Sequence, residues 1–117
     1  MPRTTTIYHN PRCSKSRQTL ALLEENGVKP KIVDYLKTPP TTAELKRILK
    51  KLGLKARDIL RTGEAAYAEL GLKDGNHTDD ELLALMVTNP SLIERPIVVA
   101  GNHAAMGRPP EAVLKIL

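Results

Sequence analysis

Residues 4–20 read TTTIYHNPRCSKSRQTL and indicate the architecture of the whole chain. Thr4–His9 is rich in β-branched and aromatic side chains and is predicted to form a short strand. Asn10-Pro11-Arg12 is predicted to form a turn, and Ser14–Leu20 the first turns of a helix. Cys13, the single cysteine of the chain, lies at this strand-to-helix junction.

The position of Cys13 favours a reactive thiolate. The first N–H groups of a helix have no partner within the helix and carry the positive end of its dipole. Together with the charges of Arg12, Lys15 and Arg17, these groups stabilise the thiolate, which is the form that attacks. A buried structural cysteine is the alternative, but the polar and cationic neighbours favour the reactive one.

The composition indicates one domain with a reduced thiol. The chain has 117 residues, a length typical of a single domain, and it lacks Trp and Phe, so its core must be aliphatic. No apolar run approaches the roughly 20 residues that span a bilayer, and Met1–Thr4 lacks the apolar region of a secretory signal. One cysteine cannot form an internal disulfide. We therefore expect a single cytoplasmic domain over residues 1–117, with no membrane partner.

The net charge of +5 favours a small anionic ligand over a nucleic acid. Much of the positive charge lies on one predicted amphipathic helix, at Lys46, Arg47, Lys50 and Lys51. The chain has no run of five or six like charges and no set of aromatic side chains for base stacking. Its cysteine and dispersed histidines do not have metal-ligand spacing, so we expect neither a nucleic-acid partner nor a bound metal.

The predicted elements follow the order β-α-β, a helical block, and β-β-α. Lys31–Tyr35 is the second strand, and a β-α-β unit pairs its strands in parallel. An inserted helical block covers about residues 41–88. The strands Pro96–Ala100 and His103–Gly107 follow, and Pro109-Pro110 begins a final helix. This order predicts a thioredoxin-like α/β fold with a four-stranded mixed sheet, and it puts the thiol where open α/β sheets bind ligands.

Ser16 occupies the position of the second cysteine in a Cys-x-x-Cys motif that begins at Cys13. Thioredoxin-like dithiol proteins need both cysteines, and a hydroxyl group cannot close a disulfide. Any redox cycle of Cys13 must therefore use an external thiol, such as glutathione or a small redox protein.

Three arginines are candidates for binding an oxyanion. Arg61 follows an apolar pair, Arg95 precedes Pro96, and Arg108 precedes Pro109-Pro110. Each alone is most simply a solvated surface residue. Since two of them flank proline-marked boundaries of the predicted sheet, the three could form rigid guanidinium forks around a thiolate. Such forks would hold a phosphate-like anion for attack on its central atom.

His9 and Asn10 lie within four residues of the thiol. His9, at the end of the first predicted strand, could tune the thiol or its loop. The alternative is a strand-end histidine that is hydrogen-bonded to the backbone.

Five blocks of the sequence together resemble the glutaredoxin-coupled arsenate reductases. They are YHNPRCSKSR (8–17), YLKTPPT (35–41), LRT (60–62), LGL (70–72) and IERPIVV (93–99). The match runs from Ile7 to Ile116, and its order and spacing are specific. The chain looks closer to the short chromosomal members, because it stops after the last predicted helix whereas plasmid-type members carry a C-terminal tail.

The resemblance implies roles for individual residues. It makes Cys13 the catalytic nucleophile. It assigns oxyanion binding to three arginines, Arg61, Arg95 and Arg108. Five further residues are implied to support the thiol or its loop, with the proline in the cis form: His9, Asn10, Ser16, Arg17 and Pro96.

The resemblance also implies a reaction. The Cys13 thiolate attacks arsenate to form a thiol–arsenate adduct, glutathione joins the adduct, and glutaredoxin resolves it with arsenite as product. Glutathione is thus a co-substrate, and no tightly bound cofactor is implied. We expect the protein to act as a monomer.

Two other functions stay open. Redox-responsive transcription regulators that bind RNA polymerase share this fold and the first motif, although they usually carry the Cys-x-x-Cys that Ser16 breaks. The second is a glutathione-dependent thiol reductase acting on another substrate. Arg12 bears on the substrate, because plasmid-type members have a small residue at this position. It could raise anion affinity or mark a different oxyanion or thiol.

Overall fold

The computed structural model describes residues 4–117, which contain four strands and four α-helices. The chain forms two compact units. The chain up to Thr38 forms the first together with Arg95–Leu117, and Pro39–Glu94 forms the second. The single domain over residues 1–117 stays a prediction. None of the helices in the described part of the chain has the length and apolar character needed to cross a membrane.

The first unit contains the sheet. Its strands are β1 (Thr5–His9), β2 (Lys31–Asp34), β3 (Ile97–Ala100) and β4 (His103–Met106), and α1 (Ser14–Glu25) connects β1 to β2. The strand order is β2-β1-β3-β4, with β1 parallel to β2 and antiparallel to β3, and β3 antiparallel to β4. This arrangement confirms the predicted thioredoxin-like α/β fold with a four-stranded mixed sheet.

The register of β1 and β2 places the two loops that follow these strands at the same edge of the sheet. His9, the last residue of β1, is paired with Asp34, the last residue of β2. Because parallel strands end at the same edge of a sheet, the turn before α1 and the turn after β2 lie side by side.

The core of the first unit lies between the sheet and two helical segments. Ile7 of β1 and Val98 of β3 are register partners and are fully buried. They pack with Leu23 of α1 and Val113 of the C-terminal segment. Each such aliphatic side chain contributes roughly 1.5–3 kcal/mol when it is removed from water, so this cluster fixes α1, and with it Cys13, on the sheet.

The last segment is a 3₁₀-helix, Pro110–Ile116, and the α-helix predicted there is wrong. The segment has only seven residues. Few α-helical hydrogen bonds can therefore form within it, and the tighter bonding that short 3₁₀ segments use takes their place. Ala112 N donates to Pro109 O at 3.0 Å in this pattern.

The second unit carries the inserted helical block, as predicted. Its helices are α2 (Thr42–Leu52), α3 (Ala65–Glu69) and α4 (Asp79–Thr88). The hydroxyl groups of Thr41 and Thr78 cap α2 and α4 in complete capping boxes, as their sequences predict. The helices bury an aliphatic core that includes Leu45, Ile48, Leu82, Leu83 and Met86.

Candidate active site

Cys13 is the N-cap residue of α1, in an extended conformation with φ −92° and ψ 123°. The turn before it is closed by two hydrogen bonds. Cys13 N donates to Asn10 O at 3.0 Å, and Arg12 N donates to Asn10 Oδ1 at 3.0 Å. Asn10 therefore fixes the backbone on which the half-buried thiol is presented.

The surroundings of Cys13 favour the thiolate. Burial acts to raise the pKa of the Cys13 thiol, but the N–H of Ser16, the Arg95 guanidinium and the N–H of Lys15 outweigh it. The pKa consequently lies below the ordinary thiol value. The side chain of Cys13 makes no regular cap hydrogen bond, so the free N–H groups of the first helical turn are left to stabilise the negative sulfur.

Ser16 ties together the residues that precede the thiol. Its fully buried hydroxyl group accepts from Asn10 N at 3.0 Å and lies 2.6 Å from His9 Nδ1. Burial lowers the pKa of His9 more strongly than the neighbouring Asp34 raises it. Nδ1 of the neutral ring can therefore accept a hydrogen bond that the Ser16 hydroxyl group donates. His9, Asn10 and Ser16 therefore form a neutral hydrogen-bonded support for the turn.

Arg17 supports the same turn from the helix side. Its Nη1 donates to Pro11 O at 2.9 Å, on the exposed surface. The turn is thus held from both sides, by Ser16 from within and by Arg17 from without.

Arg95 and Arg108 lie beside the thiol, although they are distant in sequence. Arg108 Nε donates to Arg95 O at 2.8 Å, and Arg108 Nη2 lies 3.9 Å from Cys13 Sγ. The Arg95 guanidinium lowers the pKa of Cys13 both as a hydrogen-bond donor and through its charge, against the opposing effect of burial. The peptide bonds before Pro96 and Pro109 are both cis. The first was implied by the resemblance and the second was not anticipated.

Gly107 allows the segments that carry these arginines to approach α1. Its N–H donates to Pro96 O at 2.9 Å. A Cβ atom at this position would lie 2.7 Å from Pro96 Cγ and would overlap Thr19 Oγ1. Thr19 is fully buried and donates to Lys15 O at 2.8 Å. Position 107 therefore has no room for a side chain, a requirement that the sequence alone did not reveal.

We expect Gly107→Ala to lower the free energy of unfolding by about 1–3 kcal/mol, the usual cost of overpacking a close-packed site. Urea denaturation followed by circular dichroism measures the change. Gly63→Ala is the matched control, because a Cβ there meets no atom within 4 Å. Equal stabilities of the two variants would show that the close approach at Gly107 is relieved at no cost.

Arg61 belongs to the second unit, where two carboxylates hold its side chain. Its Nε lies 3.1 Å from Glu64 Oε1, and its Nη1 lies 2.7 Å from Glu94 Oε1. Arg61 N also donates to Leu92 O at 2.8 Å. Sequence reasoning missed both glutamates. The i,i+3 spacing of Arg61 and Glu64 could have predicted their ion pair. Glu94 is distant from Arg61 in sequence and approaches it only in the folded structure.

A cleft of about 440 Å³ borders the turn that carries the thiol. Its lining residues come from this turn and from the segment at the end of β2: Asn10, Pro11, Arg12, Asp34, Leu36 and Lys37. The last three were not singled out from the sequence. The signal that could have found them is the parallel pairing of the first two strands, which aligns their carboxyl ends.

The chemistry available at this site is nucleophilic and anion-binding. Within residues 4–117 no group of three or more His, Cys, Asp or Glu side chains could hold a metal ion. The first unit brings together one thiol and two guanidinium groups. Burial acts to raise the pKa of this thiol, but the Ser16 N–H and Arg95 lower it by more. Such donors suit an oxyanion whose central atom is to be attacked.

Comparisons with known proteins give a consistent family. Residues 8–116 match the profile of the ArsC family. Uncharacterized protein YfgD of Escherichia coli K12 is 53% identical over 118 residues, covering 100% of this chain and 99% of the relative. An arsenate reductase of Neisseria meningitidis serogroup A is 51% identical over 112 residues, covering 95% and 96%. The solved structure of an arsenate reductase from Vibrio cholerae has a TM-score of 0.96 at 52% identity, with 100% of both chains covered.

Proposed function

Since the chain belongs to the ArsC family, we propose that it is an arsenate reductase in which Cys13 is the nucleophile. The observation that carries the proposal is the thiol at the start of α1 with a guanidinium nitrogen of Arg108 3.9 Å from its sulfur. A thiolate and an arsenate anion repel each other, and the adjacent guanidinium groups offset this repulsion.

The first step forms a bond between the Cys13 sulfur and arsenic. One arsenate oxygen takes up protons and leaves as water, so that arsenic stays in its pentavalent state. Arg61, Arg95 and Arg108 bind the remaining oxygens and stabilise the negative charge during attack. For Arg61, this role requires that the oxyanion compete with Glu64 and Glu94 for its guanidinium.

External thiols complete the cycle, because Ser16 cannot form a disulfide with Cys13. Glutathione forms a second sulfur–arsenic bond and displaces a second water. The glutaredoxin thiol then attacks the glutathione sulfur, a disulfide forms, and the electron pair of the broken bond reduces arsenic to the trivalent state. Water cleaves the remaining bond to Cys13, which releases arsenite and the thiolate. The reaction needs a supply of reduced thiols, which the cytoplasm provides, and we propose that the monomer carries it out there.

We expect arsenate-dependent oxidation of NADPH when the protein is combined with glutathione, glutaredoxin and glutathione reductase. Omitting either glutathione or glutaredoxin lowers the rate to background if both act as proposed. Phosphate is the matched control, since it has the same shape and charge but is not reduced. A rate that does not depend on arsenate would refute the proposal, and a rate that does not depend on glutaredoxin would refute only the assignment of the reductant.

A further inference from the structure

The cleft beside the Cys13 turn has the charge pattern of a binding site. Arg12 and Lys37 are exposed on its lining, and neither takes part in an ion pair within the part of the chain that the structure describes. Asp34 lines the same cleft. Its Oδ1 is buried and has no hydrogen-bond partner among the described residues. A buried acceptor left in this way is costly unless a ligand or water satisfies it.

The wall of the cleft is continuous with the reactive turn. Arg12 is bonded directly to Cys13, and Asn10 accepts the Cys13 N–H through its carbonyl oxygen at 3.0 Å. On the opposite wall, Lys37 N donates to Asp34 O at 3.0 Å, which folds the segment after β2 into a turn. A molecule in the cleft therefore lies between these two turns, beside the residues that lead directly into Cys13.

The lining selects one chemical class. The two cations match two carboxylates and Asp34 matches an ammonium group, while Pro11 and Leu36 give apolar surface for a short aliphatic stem. A volume of about 440 Å³ lies within the roughly 300–1,000 Å³ of small-molecule sites. Cys13 also requires a thiol from outside the chain. A small γ-glutamyl peptide that contains cysteine has all of these groups.

We propose that this cleft binds the external thiol substrate, a zwitterionic peptide of the glutathione type, with its carboxylates at Arg12 and Lys37 and its ammonium group at Asp34. The proposal rests on the function given above. The bound thiol would form the second sulfur–arsenic bond, a proton and an arsenic-bound hydroxide leaving as water. In this proposal Arg12 selects the external thiol substrate by binding its carboxylate, and it does not select the oxyanion.

Binding can be measured without turnover by using S-methylglutathione, which cannot react. Titration of the wild type by NMR at low salt is expected to shift the amide signals of Asn10, Asp34 and Lys37. In Arg12→Ala and Lys37→Ala we expect the Kd to rise by roughly 3- to 10-fold each, as for partly exposed charge pairs. Lys29→Ala is the matched control, because Lys29 is exposed and precedes the opposite end of β2, and its Kd should stay that of the wild type.

The glycine ethyl ester of the probe tests the charge pairing directly. The ester should bind the wild type more weakly than the acid. If Arg12 or Lys37 pairs with the glycine carboxylate, the alanine variant of that residue should bind the ester and the acid with the same Kd. No binding to the wild type, equal Kd values in the cleft variants and the control, or shifts confined to other regions would each overturn the inference. Arsenate turnover is measured separately. Binding in the cleft without turnover would refute the proposed function alone, and turnover without binding would refute the cleft alone.

Discussion

Cys13→Ser is expected to lower arsenate turnover at least about a thousandfold, because a serine hydroxyl is not ionised near neutral pH, whereas the thiolate is the form that attacks. The change replaces one atom at the N-cap of α1, a position that serine itself favours. Helix formation should therefore be unaffected. The measurement is the glutaredoxin-coupled rate with arsenate, compared with the rate without arsenate.

Two measurements separate lost chemistry from lost structure in Cys13→Ser. The circular dichroism spectrum and thermal midpoint should match those of the wild type. Arsenate or sulfate should still raise the thermal midpoint, since the guanidinium groups remain. A folded variant that keeps more than a tenth of the wild-type rate would show that another group is the nucleophile.

Arg95→Ala is expected to have the second largest effect, a fall in kcat/KM for arsenate of roughly a hundredfold, as for loss of one donor to a developing oxyanion. It should also change the thiol itself. Burial acts to raise the pKa of Cys13 in the wild type. The Ser16 N–H, Arg95 and the Lys15 N–H together lower this pKa by more than burial raises it. Removing Arg95 leaves burial less opposed, so the pKa rises and the thiolate fraction at pH 7 falls.

The rate of Cys13 alkylation by iodoacetamide, measured against pH, reports this change. The wild-type midpoint should lie below the value of about 8.5 for a free thiol, and the Arg95→Ala midpoint should lie at higher pH. Arg95→Lys should restore the midpoint in part but not the kcat/KM, since an ammonium group lacks the guanidinium fork. Arg47→Ala, an exposed arginine on α2, controls for net charge. An unchanged midpoint in Arg95→Ala would contradict the proposed interaction.

The parts of the fold that depend on residues adjacent in sequence could be predicted from the sequence. The strand, turn and helix around Cys13 follow from local propensity, and the caps at Thr41 and Thr78 follow from a four-residue pattern. The final segment was predicted as an α-helix because Pro109-Pro110 is a typical helix start. It forms a 3₁₀-helix, since a segment of seven residues has room for few α-helical hydrogen bonds.

The site was predictable as a set of residues but not as a geometry. The thiol at a helix start is a local feature, whereas its contact with Arg108 joins residues 95 positions apart. Glu94 reaches Arg61 over 33 positions, and Asp34 reaches the His9 end of β1 only through strand register. Such contacts depend on how the elements pair and pack, which no local pattern contains.

The distance along the chain between Cys13 and Arg108 has a consequence for protein synthesis. Cys13 is synthesised with the start of α1, whereas Arg95 and Arg108 are synthesised only after the whole inserted helical block. Until β3 pairs with β1 and β4 pairs with β3, the thiol lacks Arg95 and Arg108, and its acidity depends on α1 alone. A nascent or truncated chain that lacks the β3–β4 segment and Arg108 therefore carries a less acidic thiol, and the full nucleophilicity of Cys13 arises only once these residues have been made and have folded onto β1.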